Sequence, residues 1–232
     1  LKGENVAIAA DKIFPQALSI DDINLPVQFY RNDESWVVSS TSGQVVLPET
    51  TISPVFEYQI DKAFLSLAAD IGELDVSHIR RFLPLQPFLP DDVSRYLNKA
   101  FYANGKIANA QVLWHGAFNQ FPFAQNEGIF QANVEIKRAD FSFASNWPSI
   151  NELDLTLAFE NLGLAMHSSA ATLANIKIAQ LRAYIPLLTN GADLIIEAMA
   201  TGTGDEVAKL LANSSLSDGL GKTLNKDILV SN

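Results

Sequence analysis

Asn151-Glu152-Leu153-Asp154-Leu155-Thr156-Leu157-Ala158-Phe159-Glu160 is the stretch whose reading decides the fold. Leu153, Leu155, Leu157 and Phe159 take every second position. Glu152, Asp154, Thr156 and Glu160 fill the places between them, with Ala158 the one interruption. Successive side chains of a strand point to opposite faces, so the pattern predicts a strand with one apolar face and one wet face. Phe130-Gln131-Ala132-Asn133-Val134-Glu135-Ile136 alternates without a break, and Phe141 and Phe143 continue in the same manner. Ile176 and Ile178 flank Lys177. Leu194, Ile196, Ala198 and Ala200 form a further row, with Ile195 and Met199 on the opposite face. Turn signals at 119–122, 125–128, 145–149, 161–163 and 189–191 separate these runs. Such close spacing favours an antiparallel meander over βαβ units.

Residues 1–75 also read as short strands. Pro26 to Tyr30, Ser35 to Val38, Gln44 to Leu47 and Val55 to Ile60 are β-branched or aromatic runs, and Asn32-Asp33, Ser42-Gly43 and Ser53-Pro54 read as turns between them. Lys62 to Asp70 fits neither period cleanly and is read as strand from its surroundings. Pro84, Pro87 and Pro90 leave room in 76–90 only for a short helical turn and a connector. A helix is expected near 92–103. Asp91 or Asp92 would cap it, Val93, Tyr96, Leu97, Ala100 and Phe101 share one face, and Asn104-Gly105 ends it. A second helix is expected from Asp205 to Asn213, and the polar tail at 217–232 is expected to fray.

The 232 residues include no cysteine, which excludes disulfides, thiolate nucleophiles and cysteine-ligated zinc. The net charge of −10 argues against a broad nucleic-acid surface and against electrostatic docking on anionic headgroups. No run approaches the roughly 18 apolar residues of a membrane-spanning helix. Leu1-Lys2-Gly3-Glu4-Asn5 lacks the basic and apolar regions of a signal peptide. A first residue other than Met leads us to expect a fragment of a longer chain.

No catalytic constellation emerges. His78, His115 and His167 each stand alone, without the paired spacing of a metal site. Gly219 to Thr223 fails as a phosphate loop because Leu216 occupies the place of its first glycine. Gly202-Thr203-Gly204 lacks the third glycine of a dinucleotide fingerprint and reads as a turn and helix cap. Asp21/Asp22, Asp33/Glu34 and Asp91/Asp92 read as turn or cap residues. No metal, cofactor or catalytic residue is expected. Trp36, Trp114 and Trp147 could form a sugar-stacking platform, but aromatics at alternating positions read first as core. Alternation leaves two readings of the apolar face: an ordinary core, or a face that receives an apolar ligand.

Further signals follow one another in order: Phe82-Leu83-Pro84, Phe88-Leu89-Pro90, a short helix ending at Gly105, Gly116, Phe121-Pro122-Phe123, Gly128-Ile129-Phe130, Phe141, Trp147-Pro148, Phe159 and a helix before Leu216. Through these elements residues 75 to 216 resemble the AsmA-like proteins of YhdP type, large proteins of the Gram-negative envelope. Residues 1–75 resemble them more loosely, through Trp36, Gly43 and Glu73-Leu74-Asp75. Asn213 to Leu216 departs from the family, which tends to carry a proline before the leucine.

The resemblance implies an inner-membrane anchor outside this stretch and a long periplasmic body. It also implies a curled sheet with an apolar groove, and phospholipid movement from the inner to the outer membrane in support of the permeability barrier. It brings no enzymatic residues.

The expected architecture is therefore mainly β: a strongly curved antiparallel sheet, groove-like or taco-like, with one or two helices. A β-sandwich is the alternative. Strands in 1–75 are expected to continue into the sheet of 76–216. The expected lipid-facing residues are Phe130, Val134, Ile136, Phe141, Phe143, Leu153, Leu155, Leu157, Phe159, Ile176 and Ile178. The expected partner is the acyl chain of a phospholipid, with no nucleic acid. The rival reading is an envelope assembly scaffold that binds protein strands along its sheet edge.

Overall fold

A computed structural model of the protein describes residues 1–9, 16–32, 34–82, 104–142, 147–188 and 193–214. The helix expected near 92–103, the second Phe-Leu-Pro element, Phe143 and the tail at 217–232 lie outside the described residues.

Among the described residues, fourteen strands form one sheet. They are β1 (Lys2–Ile8), β2 (Leu18–Asn24), β3 (Gln28–Arg31), β4 (Trp36–Ser40), β5 (Gln44–Val46), β6 (Thr51–Gln59), β7 (Phe64–Ile71) and β8 (Leu74–Asp75). There follow β9 (Lys106–Ala117), β10 (Ile129–Phe141), β11 (Ile150–Glu160), β12 (Gly163–Leu173), β13 (Ile176–Ile185) and β14 (Ile195–Thr201). The order is β1-β2-β5-β6-β7-β9-β10-β11-β12-β13-β14, with β3, β4 and β8 attached to its side. Every pairing is antiparallel. β1 and β14 stand at opposite ends and do not pair, so the sheet is not closed into a barrel. With every described strand in one sheet, the two-sheet sandwich alternative fails.

Ser53-Pro54 is not a turn but lies inside β6. The reason is where β6 changes partner. β5 pairs with Thr51 and Ile52, β4 pairs with Phe56 to Gln59, and Pro54 falls in the gap between them. A residue without an N–H costs no ladder bond there. The ambiguous stretch 62–70 is strand, as β7, with Lys62 and Ala63 in the preceding turn. β7 then pairs with β9 from Phe64↔Ala117 to Ile71↔Ala110, so the sheet runs without interruption from the early strands into the later ones.

Register shifts mark the sheet along one seam. They fall between Glu135 and Ile136 and between Ile136 and Ala139 on β10, beside Asp154 on β11, and between Ile178 and Gln180 on β13. Arg138 and Glu152 there adopt left-handed φ values of 50° and 51°. Each bulge adds local twist and bend to its strand. Bulges stacked on neighbouring strands therefore curl the sheet toward one side. The backbone N–H of Arg138 donates to Asp154 Oδ1 at 3.0 Å, satisfying a group the bulge would otherwise strand. On β12 the buried Ser168 hydroxyl donates to the Ala170 carbonyl at 3.0 Å, which explains a polar residue among apolar neighbours.

A 3-10 turn at Val76–Arg81 follows Asp75, whose carboxylate accepts from the Ser77 N–H at 2.8 Å. Val76 is buried, and Ile79 and Phe82 pack against the main core. The second expected helix is α1 (Gly204–Ala212). Thr203 and Glu206 form a reciprocal capping box, so Gly202-Thr203-Gly204 is the turn and cap that its sequence suggested.

Candidate functional site

Paired residues in a ladder share a face of the sheet, so the register shows what each face carries. One rung crosses ten strands: Ile23, Val45, Ile52, Ile71, Ala110, Val134, Leu157, Met166, Ala183 and Ile196. Every member is apolar. A second, beside it, joins Pro54, Ala69, Val112, Ala132, Phe159, Leu164 and Ile185. The opposite face carries rungs such as Asn109, Glu135, Thr156, His167, Arg182 and Glu197. The sheet is therefore two-sided from β9 to β14.

Ten of the eleven residues expected to line the groove fall on this one apolar face; Phe143 lies outside the described residues. Ile136, Phe141, Leu153, Leu155, Leu157, Ile176 and Ile178 are buried, and Phe130, Val134 and Phe159 are half-buried. Sequence reasoning missed Leu164, Met166, Leu181, Ala183 and Ile185, which extend the same face. Leu164 and Met166 do alternate with Ala165 and His167, but the bend at Ser168 to Ala171 breaks the period after two members.

Three of the family-like elements, Gly116, Phe121-Pro122-Phe123 and Gly128-Ile129-Phe130, converge at one end of the face. Phe123 is 1% exposed and packs edge-on against Trp114 and Phe121. Trp114 stacks on Phe121 at 5.1 Å and meets Phe118 and Phe130 at 5.4 and 5.9 Å. Gly116 and Gly128 make room: a Cβ on either would come within 2.5 Å of the Phe123 ring. Asn161 ties the loop down, with Oδ1 accepting from the Phe130 N–H at 2.8 Å and Nδ2 donating to the Phe123 and Gly128 carbonyls at 3.4 Å. Trp147 packs against the main core, and the register puts Trp36 on the apolar face as well. The three tryptophans thus share one face but do not form one platform.

The polar face offers one pair of interest to a chemist. Ser66 Oγ and His115 Nδ1 are 2.9 Å apart. Glu57, next on that rung, is engaged by the Tyr30 hydroxyl and Gln59 Nε2 rather than by the imidazole. Ser66 lies between Glu57 and His115 on the rung, whereas a catalytic triad needs the histidine in the middle. His78 and His167 do not join the pair. Among the described residues, no three His, Asp or Glu side chains gather as a metal site. No described helix is long and apolar enough to cross a membrane.

An open antiparallel sheet with a continuous apolar face, curled by its bulges, defines a groove-like class of β protein. The chain matches the YhdP protein family over residues 1–228 and belongs to it. It is 28% identical over 219 residues, 93% of its length, to the intermembrane phospholipid transporter YhdP of Escherichia coli (strain K12). It spans 17% of that relative's length. No solved structure matches it.

Proposed function

We propose that this chain is a non-enzymatic segment of a phospholipid conduit, in the periplasmic part of an inner-membrane-anchored protein. It helps carry lipid from the inner to the outer membrane and so contributes to the outer-membrane permeability barrier. The observation that carries the reading is the unbroken apolar rung from Ile23 to Ile196, in a chain that resembles a named phospholipid transporter. Acyl carbons gain roughly 0.8 kcal/mol per buried CH₂ on leaving water. That gain is non-directional, so a chain can slide along such a face without breaking specific bonds.

The test is mass spectrometry of lipids extracted from the purified chain. Phospholipid is expected in the extract of the wild type and reduced in a Phe130→Gln, Val134→Gln double variant. Those half-buried sites are better controls than Leu155 or Leu157, each 3% exposed, where a charge would attack the fold itself. Well-folded wild type without lipid would overturn the reading.

The scaffold reading retains one observation in its favour. All seven residues of β14 are exposed, and among the described residues the strand has no neighbour on its far side. Saturable binding of an outer-membrane strand peptide to that edge would favour it.

A further inference from the structure

The apolar face of the described strands carries a single charged residue. Phe29 pairs with Val38, Val38 with Tyr58, and Tyr58 with Leu65, so the β3–β4 hairpin continues the face that holds Trp114 and Phe130. Arg31 pairs with Trp36 on that same side. The hairpin forms a rim, since β3 pairs only with β4. Here the apolar face comes out into solvent, with Phe29 63% and Trp36 41% exposed. The two rings stack at 4.9 Å with 3° between their planes. The Arg31 guanidinium lies 5.7 Å from the Trp36 ring centre. Among the described residues, no carboxylate pairs with Arg31, whereas the nearby Lys62 is paired with Glu34.

A cation beside an exposed aromatic ring, at the end of an apolar face, is complementary to an amphiphile. That molecule has an anionic head and a hydrocarbon body. A guanidinium suits a phosphate because its planar fork donates two parallel N–H bonds to two oxygens. A cation–π contact with Trp36 favours this position of the guanidinium. The carboxylates around the rim are engaged by other groups, Glu34 by Lys62, Glu57 by the Tyr30 hydroxyl and Asp61 by the Trp36 N–H, which leaves Arg31 without a carboxylate partner among the described residues.

We infer that the β3–β4 rim is a headgroup station, where Arg31 receives the phosphodiester of a single phospholipid whose acyl chains lie against Phe29, Trp36 and the apolar face beyond. This rests on the conduit reading and adds to it a place where the lipid's polar end is recognised.

The test uses the full chain, stripped of lipid and then incubated with vesicles holding either pyrene-labelled phosphatidylglycerol or the matching pyrene-labelled diacylglycerol. Label retained by the protein is measured after separation from the vesicles, along with the protein that co-sediments with them. Arg31→Gln is expected to lower retained phosphatidylglycerol on the order of fivefold, the scale of an exposed ion pair. It should leave diacylglycerol retention unchanged, and Arg31→Lys should restore part of the loss. Arg31 is exposed, and an unchanged circular dichroism melt confirms that the variant folds. If wild type retains both lipids equally and Arg31→Gln changes neither, the headgroup station is wrong and the conduit stands. If wild type retains neither lipid, both readings fall. If the substitution reduces co-sedimentation but not retained lipid, Arg31 serves docking on a membrane surface, and the station is again overturned.

Discussion

Phe123 shows how much of this structure rests on one side chain. It sits at a left-handed φ of 58°, is 1% exposed, and fills a hole that only glycine at 116 and 128 leaves open. The Phe-Pro-Phe and Gly-x-Phe elements are thus two halves of one contact, although six residues lie between Phe123 and Phe130. Phe123→Ala is expected to cost about 3–5 kcal/mol, the range for emptying a fully buried aromatic site. Gly128→Ala brings a methyl within 2.8 Å of the His115 carbonyl oxygen as well as onto the ring, so the clash cannot be relieved by moving one side chain. It is expected to cost about 1–3 kcal/mol through overpacking. Urea denaturation of both variants measures these losses. A stability unchanged by Phe123→Ala would mean that the aromatic cluster does not anchor the end of the sheet.

At the scale of elements, legibility followed the period. β10 and β11 could be read from the sequence because their apolar face stays on alternate residues for four consecutive members. β12 and the second half of β13 could not, because bulges move the apolar residue from one parity to the other, as between Ile178 and Leu181. Pro54 misled for a related reason: a proline reads as a break unless the neighbouring strand is known to be absent there. α1 was readable because Thr203, Glu206 and the apolar triad Val207, Leu210 and Leu211 agree with one another. The aromatic cluster was not, since its contacts join β9, β10 and the loop between them in three dimensions.

The 3-10 turn at Val76–Arg81 yields an element-scale prediction. Hydrogen bonding from Ser77, side chain first and backbone second, holds the Asp75 carboxyl below its ordinary value, against a smaller opposing effect of burial. A depressed folded-state value means the stabilisation is complete above the unfolded value of about 3.9, and is lost as pH falls through the folded one. Asp75→Ala is therefore expected to be less stable than wild type by about 1 kcal/mol at pH 7, as for a lost N-cap. The difference should narrow in acid below about pH 3.9. Urea midpoints of both proteins at pH 7 and pH 3 test this, and a gap of equal size at both would refute the assignment.

For the whole molecule, the question is whether a lipid chain travels along the face or only touches its rim. The tryptophans sit at three points on that question. Trp36 is at the exposed hairpin, Trp114 is in the aromatic cluster, and Trp147 is against the main core. Bromine on an acyl chain quenches indole fluorescence only at short range. Three variants, each keeping one tryptophan and replacing the other two with phenylalanine, therefore report on three separate places. If the apolar rungs form one path, phospholipid brominated along its chains quenches all three variants, and lipid without bromine quenches none. Quenching confined to the Trp36 variant would mean that lipid binds at the rim while the buried leucines of β11 are plain core. Because Leu153, Leu155 and Leu157 are each 3% exposed or less, entry past Trp114 also requires the curled sheet to part. Trp147 should then quench more slowly than Trp36 after mixing, and the ratio of the two rates measures that opening.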